Sequence, residues 1–504
     1  MPKPNVVFIL ADDMGYGDVS ALNENCAFKT PNLDRMVEKG LHFTDAHTSS
    51  SVCTPSRYSI LTGRYCWRTY LKSSVLSGTS KALIHSDRET IASLAKKANY
   101  DTACIGKWHL GWDWAIKEGA TEIDDSLNNN NTEWIDYNKP IKNSPNQLGF
   151  DHFYGISGSL DMPPYVYVEN DKAIEEPTAW GESSEFGREG RRMESLRANN
   201  VLGHLTDKAV SYIQKHGKEK PFMLYFPITA PHTPIAPAAE FDGKSGINPY
   251  ADFCLEVDHR VGQVFSALEL SGQLENTLVI FTTDNGASAG PSECKMLEEH
   301  HQHFCSYIYR GYKSDIWDGG HRIPYLMHWP EGIDGQQRCD QKVGIFDFFA
   351  SFAELTGVSH SHDSGEDSCS YLPAFKGLKV DENQRHALIH HSINGSFALR
   401  HGKWKLCRCA GSGGWGIPRD KIASVENPSL IQLYNMEEDP GEKNNVSHLH
   451  PDIVTELTKT LHKCVINGRS TPGKHLDNDT NLDIKDWKQI NWLPEIPDQY
   501  IVED

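Results

Sequence analysis

Two sets of side chains in this sequence could carry out chemistry together. Hard oxygen ligands, of the kind that bind Ca²⁺ or Mg²⁺, are offered by Asp12, Asp13, Asp284 and Asn285. Positive charges and proton-transferring groups are offered by Lys107, His109, His232 and Lys313. A divalent ion, an anion pocket and acid–base groups are the equipment for hydrolysing a phosphate or sulfate ester.

Each of these residues, taken singly, also has a structural explanation. An Asp-Asp pair after a strand often caps a helix, and Asp-Asn-Gly often forms a turn. The chain has 24 histidines, and a structural role is the better interpretation for most of them. The chemical interpretation therefore depends on where these residues fall along the chain.

The candidate residues follow four predicted strands. The strands are the short apolar runs 5–10, 102–105, 221–226 and 277–283. The polar residues that come after them are, in strand order, Asp12 and Asp13, Lys107 and His109, His232, and Asp284 and Asn285. In open α/β sheets ligands bind beyond the carboxyl ends of the strands, so we expect these four groups to meet there.

A cysteine lies beside a predicted helix in SVCTPSRYSILTGR, residues 51–64. Pro55 suits the first position of a helix, and Gly63 suits its end. Cys53 would then lie at the helix N-terminus, where unpaired N–H groups and the helix dipole favour an anion. Arg57, one turn later, adds a positive charge. A buried cysteine near a capped helix is the alternative for this segment alone.

The strands and helices that must position these groups alternate along the chain. Helical patterns lie between the strands, at 31–39, 89–98, 199–215 and 250–270. We therefore predict an α/β fold with a large, mostly parallel sheet flanked by helices, including a further strand at 323–329.

A second, smaller domain is predicted at the C-terminal end. The polar segment near 357–385 is typical of a boundary, and the strands after it alternate as antiparallel strands do, before a helix near 451–464. We predict a catalytic α/β domain over 1–375 and an α+β domain with an antiparallel sheet over 376–504. The tail of the second domain, from about 470, is expected to wrap the surface.

Composition limits the classes of function. The 504 residues carry a formal charge of −19, which argues against nucleic acid as a partner. No apolar run reaches the length of a membrane span, so we expect no membrane partner. No signal peptide is recognisable, which predicts a cytoplasmic protein if the chain is complete and a periplasmic or secreted one if a leader has been removed. The 12 cysteines show neither zinc-type spacing nor a readable disulfide framework.

These motifs resemble those of the type I sulfatases of the alkaline-phosphatase superfamily, and of bacterial carbohydrate sulfatases in particular. CTPSRYSILTGR is similar to their C-x-P-S-R signature. Their other characteristic segments resemble PNVVFILADDMGYGD, GKWHLG, PHTP, FTTDNG, RGYKSDIWDGGHRIP and LYNMEEDPGEKNN. Asp318 stands where the family pattern has glutamate, a departure that concerns loop packing more than chemistry. The resemblance implies an alkaline-phosphatase-like fold and the hydrolysis of sulfuric esters.

The resemblance also implies a modified nucleophile. Cys53 would be oxidised to formylglycine by a formylglycine-generating enzyme, and one oxygen of the hydrated aldehyde would attack sulfur. A Ca²⁺ ion, with Mg²⁺ less favoured, would be bound by Asp12, Asp13, residue 53, Asp284 and Asn285. The other implied roles are stabilisation of the ionised diol by Arg57 and Lys107, removal of its last proton by His109, protonation of the leaving alcohol by His232 and sulfate binding by Lys313.

The substrate is predicted to be a sulfated polysaccharide or its oligosaccharides. Chondroitin or dermatan sulfate is the first candidate, and a carrageenan-like galactan is the next. Candidate contacts with the sugar or with a second anionic group, each of which could instead be a solvated surface residue, are Asp161, His300, His301, His303, His390 and His391.

Two other functions stay open at this point. A phosphodiester or phosphonate monoester hydrolase of the same superfamily would use the same formylglycine and a similar metal, and would turn over phosphate diesters faster than sulfate esters. The second alternative is a catalytically inactive protein that binds sulfated glycans and keeps Cys53 unmodified.

Overall fold

A ten-stranded sheet and a four-stranded sheet organise the computed structural model, which describes residues 3–120, 126–127, 130–427, 429–480 and 487–490. The strands are β1 (Asn5–Ala11), β2 (Leu41–Phe43), β3 (Ala46–His47), β4 (Asp101–Lys107), β5 (His152–Ile156), β6 (Val168–Glu169), β7 (Lys172–Ala173), β8 (Ala179–Gly181), β9 (Gly190–Arg192), β10 (Phe222–Pro227), β11 (Thr277–Thr283), β12 (Tyr325–His328), β13 (Gln337–Cys339), β14 (Val343–Gly344), β15 (Leu388–His391), β16 (Phe397–His401), β17 (Trp404–Cys407) and β18 (Gln432–Asn435). The predicted α/β class with a smaller antiparallel sheet is confirmed.

The large sheet has the order β13-β2-β12-β11-β1-β10-β4-β5-β6-β7. Its centre, from β11 to β5, is parallel, whereas β12 runs antiparallel to β11. Every residue of β1 and of β11 is buried, because helices cover both faces of a parallel sheet. This burial explains why these strands read as unbroken apolar runs in the sequence.

Helices pack in two groups beside this sheet. The α-helices are α1 (Pro31–Lys39), α2 (Cys53–Thr62), α3 (Ile91–Lys97), α4 (Ser183–Phe186), α5 (Val201–Lys215), α6 (Pro249–Leu270), α7 (Met296–His301), α8 (Asp318–His321), α9 (Phe348–Thr356), α10 (Asp420–Glu426) and α11 (Pro451–Ile466). Helix α6 contacts α1 and α5, while α2, α3 and α9 contact one another.

Within the described ranges, no helix combines the length and the apolar character needed to cross a bilayer.

Helix α2 begins two residues earlier than the sequence suggested. Its first residue is Cys53, so Pro55 occupies the third position of the first turn, where its missing N–H still costs no hydrogen bond. The helix ends as predicted at Gly63, whose left-handed backbone (φ 64°) suits glycine. All ten residues of the helix are buried.

The smaller sheet has the order β15-β16-β17-β18 and packs against α11. The large hydrophobic core includes Val380, whereas Ala387 belongs to a second core. That second core also takes in Tyr65, Trp67 and Phe346, so both parts of the chain contribute to it. Trp487 and Ile490 of the predicted tail pack into the second core. The remaining tail residues 481–486 and 491–504 lie outside the described residues.

Candidate active site

Two acidic loops meet at the carboxyl ends of β1 and β11. Strand pairing aligns Ala11 with Thr283, so the residues that follow them, Asp12 and Asp284, emerge side by side. The Asp284 backbone N–H donates to Ala11 (3.1 Å), and the Asp13 N–H donates to Asp284 Oδ1 (3.3 Å). All three carboxylates are buried, which is costly unless positive groups pair with them.

Three cations pair with these carboxylates. Lys107 Nζ, at the end of β4, lies 2.7 Å from Asp12 Oδ2. Arg57 Nη2, in the second turn of α2, lies 2.7 Å from Asp284 Oδ2. In the loop before α8, Lys313 Nζ lies 2.7 Å from Asp13 Oδ2. The structure thus assembles three carboxylates and three cations from separate parts of the chain.

Cys53 faces this charged cluster from the first residue of α2. Its Sγ lies 3.6 Å from Asp12 Oδ1, and only 2% of the residue is exposed. Burial raises the pKa of the thiol well above its ordinary value, although Lys107 and Lys313 oppose that shift. Because the thiolate is the reactive form of cysteine, an unmodified Cys53 would be a poor nucleophile in this position.

His109 is held as a neutral base. Its Nε2 lies 2.8 Å from the Leu76 carbonyl oxygen, to which it donates, and its Nδ1 has no hydrogen-bond partner among the described residues. Burial, reinforced by the charges of Lys107 and Arg57, lowers the pKa of His109 well below its ordinary value. The imidazole therefore keeps an available lone pair on Nδ1.

His232 approaches the acidic loops from the segment after β10. Its Nδ1 lies within hydrogen-bond distance of the Thr233 carbonyl and 3.3 Å from Ser159 Oγ. Its Nε2 lies 3.7 Å from Asp13 Oδ2. With Nδ1–H donated to Thr233, Nε2 is the nitrogen that faces the site.

The acidic loops also have the donor set of a cation site. Ligand atoms of Asp12, Asp13, Cys53 and His232 all lie within 4.8 Å of one another. Asn285 donates from Nδ2 to Asp13 Oδ1 (2.7 Å), while its buried Oδ1 has no partner among the described residues. Carboxylate and amide oxygens are ligands of hard divalent cations, and an orphaned buried oxygen fits a bound ion.

Asp161 lies near the cations of the site. Burial would raise its pKa, but the charges of His232, Arg188 and Lys107 outweigh burial and lower it. Arg188 Nη1 lies 2.7 Å from Asp161 Oδ2, and Asp161 Oδ1 is buried without a partner among the described residues. One carboxylate oxygen is therefore available to a ligand.

The predicted histidine contacts are not brought together. His300 and His301 are exposed on α7. His303 is fully buried, and its two ring nitrogens contact Asp18 Oδ1 (2.9 Å) and the Ala27 N–H (3.1 Å), which leaves neither for a substrate.

His390 and His391 also face the interior rather than a cleft. The His390 ring is fully buried and stacks on His321 with 3.8 Å between ring centroids. His391 is 2% exposed and packs against Phe397. We therefore withdraw His303, His390 and His391 as substrate contacts.

Two residues near the site were missed in the sequence. Ser159 Oγ lies 3.2 Å from Lys107 Nζ and also contacts His232. It follows β5, a parallel strand whose sequence HFYGI gives little apolar signal. Arg188, which pairs with Asp161, lies in a loop where nothing in the sequence pointed to it.

Known proteins share both the sequence pattern and the fold. A family model described as Sulfatase matches residues 4–358. An N-acetylgalactosamine-6-O-sulfatase of Bacteroides thetaiotaomicron is 30% identical, over 91% of this chain and 92% of its own length. A sulfatase structure from work on glycosaminoglycan metabolism by that bacterium has a TM-score of 0.78 at 29% identity, covering 92% of this chain and 99% of its own.

A further structure, solved with a bound neocarrahexaose, covers 94% of this chain and 95% of its own with a TM-score of 0.69. At 23% identity it shows likeness of fold alone. The family model spans the loops that carry the buried cysteine, the paired cations and the acidic ligands, and by this match the chain belongs to the sulfatases, the sulfuric ester hydrolases whose nucleophile is a formylglycine.

Proposed function

We propose that this enzyme releases inorganic sulfate from a sulfated glycosaminoglycan or its oligosaccharides. The first candidate bond is the 6-sulfate ester of N-acetylgalactosamine in chondroitin or dermatan sulfate, because that is the sugar and position in the name of the Bacteroides thetaiotaomicron relative. A carrageenan-like galactan is the second candidate.

The observation that carries this proposal is the setting of residue 53. The side chain lies at a helix N-terminus, 3.6 Å from Asp12 Oδ1, where the charges of Lys107 and Lys313 reach it. Positive groups and helix N–H groups fixed in a buried site stabilise a negative nucleophile and a bound anion far better than water does.

The catalytic roles proposed for this chain follow from its contacts. Residue 53, converted to formylglycine and hydrated, supplies the oxygen that attacks sulfur. Arg57 and Lys107 stabilise the ionised oxygen, and Lys313 holds the sulfate group. We assign them to these roles because Arg57 and Lys107 are fully buried, Lys313 is largely buried, and each is held by an ion pair in the cluster that Cys53 faces.

The two histidines divide the proton transfers between them. His232 protonates the leaving alcohol from Nε2, because its Nδ1 is occupied by Thr233. His109 takes the proton of the remaining hydroxyl at Nδ1 when sulfate leaves, because its Nε2 is occupied by Leu76. This second transfer regenerates the aldehyde without attack of water on sulfur.

We further propose Ca²⁺ as the ion that Asp12, Asp13, Asp284, Asn285 and residue 53 hold. When bound there, such an ion would supply positive charge for the sulfuryl oxygens and for the ionised nucleophile. Ca²⁺ is favoured over Mg²⁺ because it accepts many protein oxygens in flexible geometry, whereas Mg²⁺ retains several waters.

The test is sulfate release by the modified enzyme. The chain is co-expressed with a formylglycine-generating enzyme, and conversion of Cys53 is verified by peptide mass. Inorganic sulfate is then measured from chondroitin, dermatan and carrageenan polymers, each beside its oligosaccharides. We expect release from chondroitin or dermatan sulfate, and Cys53→Ala should lower turnover by about 10³-fold or more because it removes the nucleophile.

The controls separate the remaining functions. Cys26→Ala, which changes a cysteine in another cluster, should keep full turnover. Retained turnover in Cys53→Ala would exclude the formylglycine mechanism. Faster cleavage of phosphate diesters than of sulfate esters would identify the phosphodiesterase alternative, and tight glycan binding without turnover by chains with unmodified Cys53 would identify the binding protein.

A further inference from the structure

A groove of about 620 Å³, in the range of volumes that hold small ligands, is formed largely by the segment that follows His109. We call it the tryptophan groove, and its lining includes Trp112, Trp114, Trp134, Lys81, Lys139 and Lys142. The carboxylate of Asp113 also lines it and accepts hydrogen bonds from the Ala82 N–H and from Asn143. The three tryptophans are largely buried, and the three lysines are exposed. The groove therefore combines an apolar wall, in which Ile116 is exposed (42%) and the tryptophans form the rigid backing, with a positive rim.

The aromatic lining is fixed in position. Trp114 Nε1 donates to the Gly78 carbonyl (3.1 Å), and Trp134 Nε1 donates to the Asn131 carbonyl (3.1 Å). Trp112 and Trp114 pack edge to face, with 5.3 Å between ring centroids. Rigid aromatic surface that is already in place loses little conformational entropy when it binds a ligand.

Among the described residues that line the groove, three lysines stand against the carboxylate of Asp113, so the rim is positive. Among the described residues Lys81 and Lys142 form no ion pair, whereas Lys139 lies 3.1 Å from Asp136. The chain as a whole has a formal charge of −19. The unpaired lysines therefore make the charge beside this groove opposite in sign to the net charge of the chain. Such a patch attracts an anion.

The groove is connected to the catalytic machinery by two short segments. Trp112 and Trp114 follow His109 in the loop after β4. This loop leaves the sheet at the carboxyl ends of the strands, where the site lies. The Leu76 carbonyl contacts His109, and the chain from Leu76 to Lys81 can span at most about 18 Å. A chain-like ligand at the site could therefore reach the groove.

We propose that the tryptophan groove binds an anionic sugar residue of the polymer at a distance from the sulfate ester that is cleaved. This inference rests on the proposed function and adds a second contact for a long substrate. The apolar wall, which presents Ile116, packs on the apolar face of a sugar ring, and Lys81 and Lys142 pair with its sulfate or carboxylate groups.

The experiment compares long and short substrates with the formylglycine-containing enzyme. For Lys81→Ala/Lys142→Ala we expect the KM for chondroitin 6-sulfate polymer to rise about 5- to 10-fold, as the loss of two exposed ionic contacts implies. The KM for the monosaccharide N-acetylgalactosamine 6-sulfate should change less than about twofold, because it cannot reach the groove. Raising the salt concentration should shrink the difference for the polymer.

A matched control removes the same charge elsewhere. Lys218 and Lys220 are exposed beside another groove, before β10 and so at the opposite end of the sheet. Lys218→Ala/Lys220→Ala should leave both KM values unchanged. Ile116→Asp, an exposed position (42%) in the tryptophan groove, should weaken polymer turnover without threatening the fold.

The outcomes distinguish this inference from the proposed function. An unchanged polymer KM in Lys81→Ala/Lys142→Ala, or an equal rise for polymer and monosaccharide, would overturn the groove while sulfatase activity stands. If no sulfate is released from any substrate, calorimetric titration of Cys53→Ala with chondroitin 6-sulfate, with and without the lysine changes, still decides the groove. Equal binding of non-sulfated hyaluronan would assign the contact to carboxylate groups, and preference for the sulfated polymer would assign it to sulfate.

Discussion

Asp12 stays ionised in the interior because cations surround it. Burial alone would raise the pKa of Asp12, but the charges of Lys107, His232 and Arg57 outweigh burial and hold that pKa well below its ordinary value. The carboxylate therefore remains a competent cation ligand without help from solvent.

Asn285 gives a direct test of the proposed ion. Asn285→Ala removes the orphaned buried Oδ1, so we expect the Ca²⁺ concentration for half-maximal activity to rise about 10- to 100-fold. The measurement strips the metal from the modified enzyme and titrates Ca²⁺ back while sulfate release is followed. Asn276→Ala, which changes an asparagine at the other end of β11, is the matched control. An unaltered Ca²⁺ requirement, or full activity after verified metal removal, would contradict the site.

At the scale of elements, α8 is tied to the smaller sheet by a buried ionic network. Asp318, at the start of α8, lies 2.7 Å from Lys405 Nζ on β17, which in turn lies 2.7 Å from Glu442. Arg400 on β16 adds a contact of 3.2 Å to Asp318. Asp318, which stands where the family pattern has glutamate, therefore lies in the ionic network that joins α8 to the smaller sheet. We call this network the joint. Because Lys313 lies just before α8, this joint also fixes one of the cations of the site.

Lys405→Met should show what this joint contributes. The change leaves the Asp318 and Glu442 carboxylates buried without their shared cation, which we expect to lower the free energy of unfolding by about 3–5 kcal/mol. Urea unfolding of both chains measures the difference. Lys403→Met removes an exposed lysine just before the same strand and should cost less than about 1 kcal/mol. Equal effects of the two changes would mean that the buried network is not stabilising.

Sequence patterns predicted the strands that are buried on both faces. They did not predict the burial of residues whose environment is made by distant parts of the chain. The four strands that carry the site were found because both of their faces are buried, which forces continuous apolar runs. Strand β5 was missed because glycine and histidine interrupt its short apolar pattern. His303 was predicted as a substrate contact because the sequence does not reveal that Gln302 adopts a left-handed conformation (φ 54°), after which the chain turns inward.

Over the whole molecule, several histidines are buried in neutral form. Burial lowers the pKa of His391 to about 3 and, with Arg35 and Lys39, that of His328 to about 4. An unfolded histidine titrates near pH 6.5. Between these values the unfolded chain binds protons that the folded chain excludes, so acid favours unfolding. Stability from these groups is complete above about pH 6.5 and is lost as the pH falls toward the folded values.

The contribution of His391 to the pH dependence of the unfolding free energy can be measured. Between pH 7 and pH 5, His391 should account for about 2 kcal/mol of lost unfolding free energy. His391→Asn should therefore lose about 2 kcal/mol less than the unaltered chain over the same interval, as judged by urea unfolding at the two pH values. His360→Asn, at an exposed position, should keep the original pH dependence. An identical loss in His391→Asn would show that the folded chain accepts the proton at this position.

The burial of α2 also sets the order of events during biosynthesis. Residue 53 is 2% exposed and the whole helix is enclosed, so no second enzyme can reach the cysteine once the chain has folded. The conversion of Cys53 to formylglycine that we propose would therefore have to take place before this part of the chain folds. A chain that folded first would keep the unmodified thiol. On that proposal, the fraction of active molecules would depend on the rate of modification relative to the rate of folding, and not on any later equilibrium.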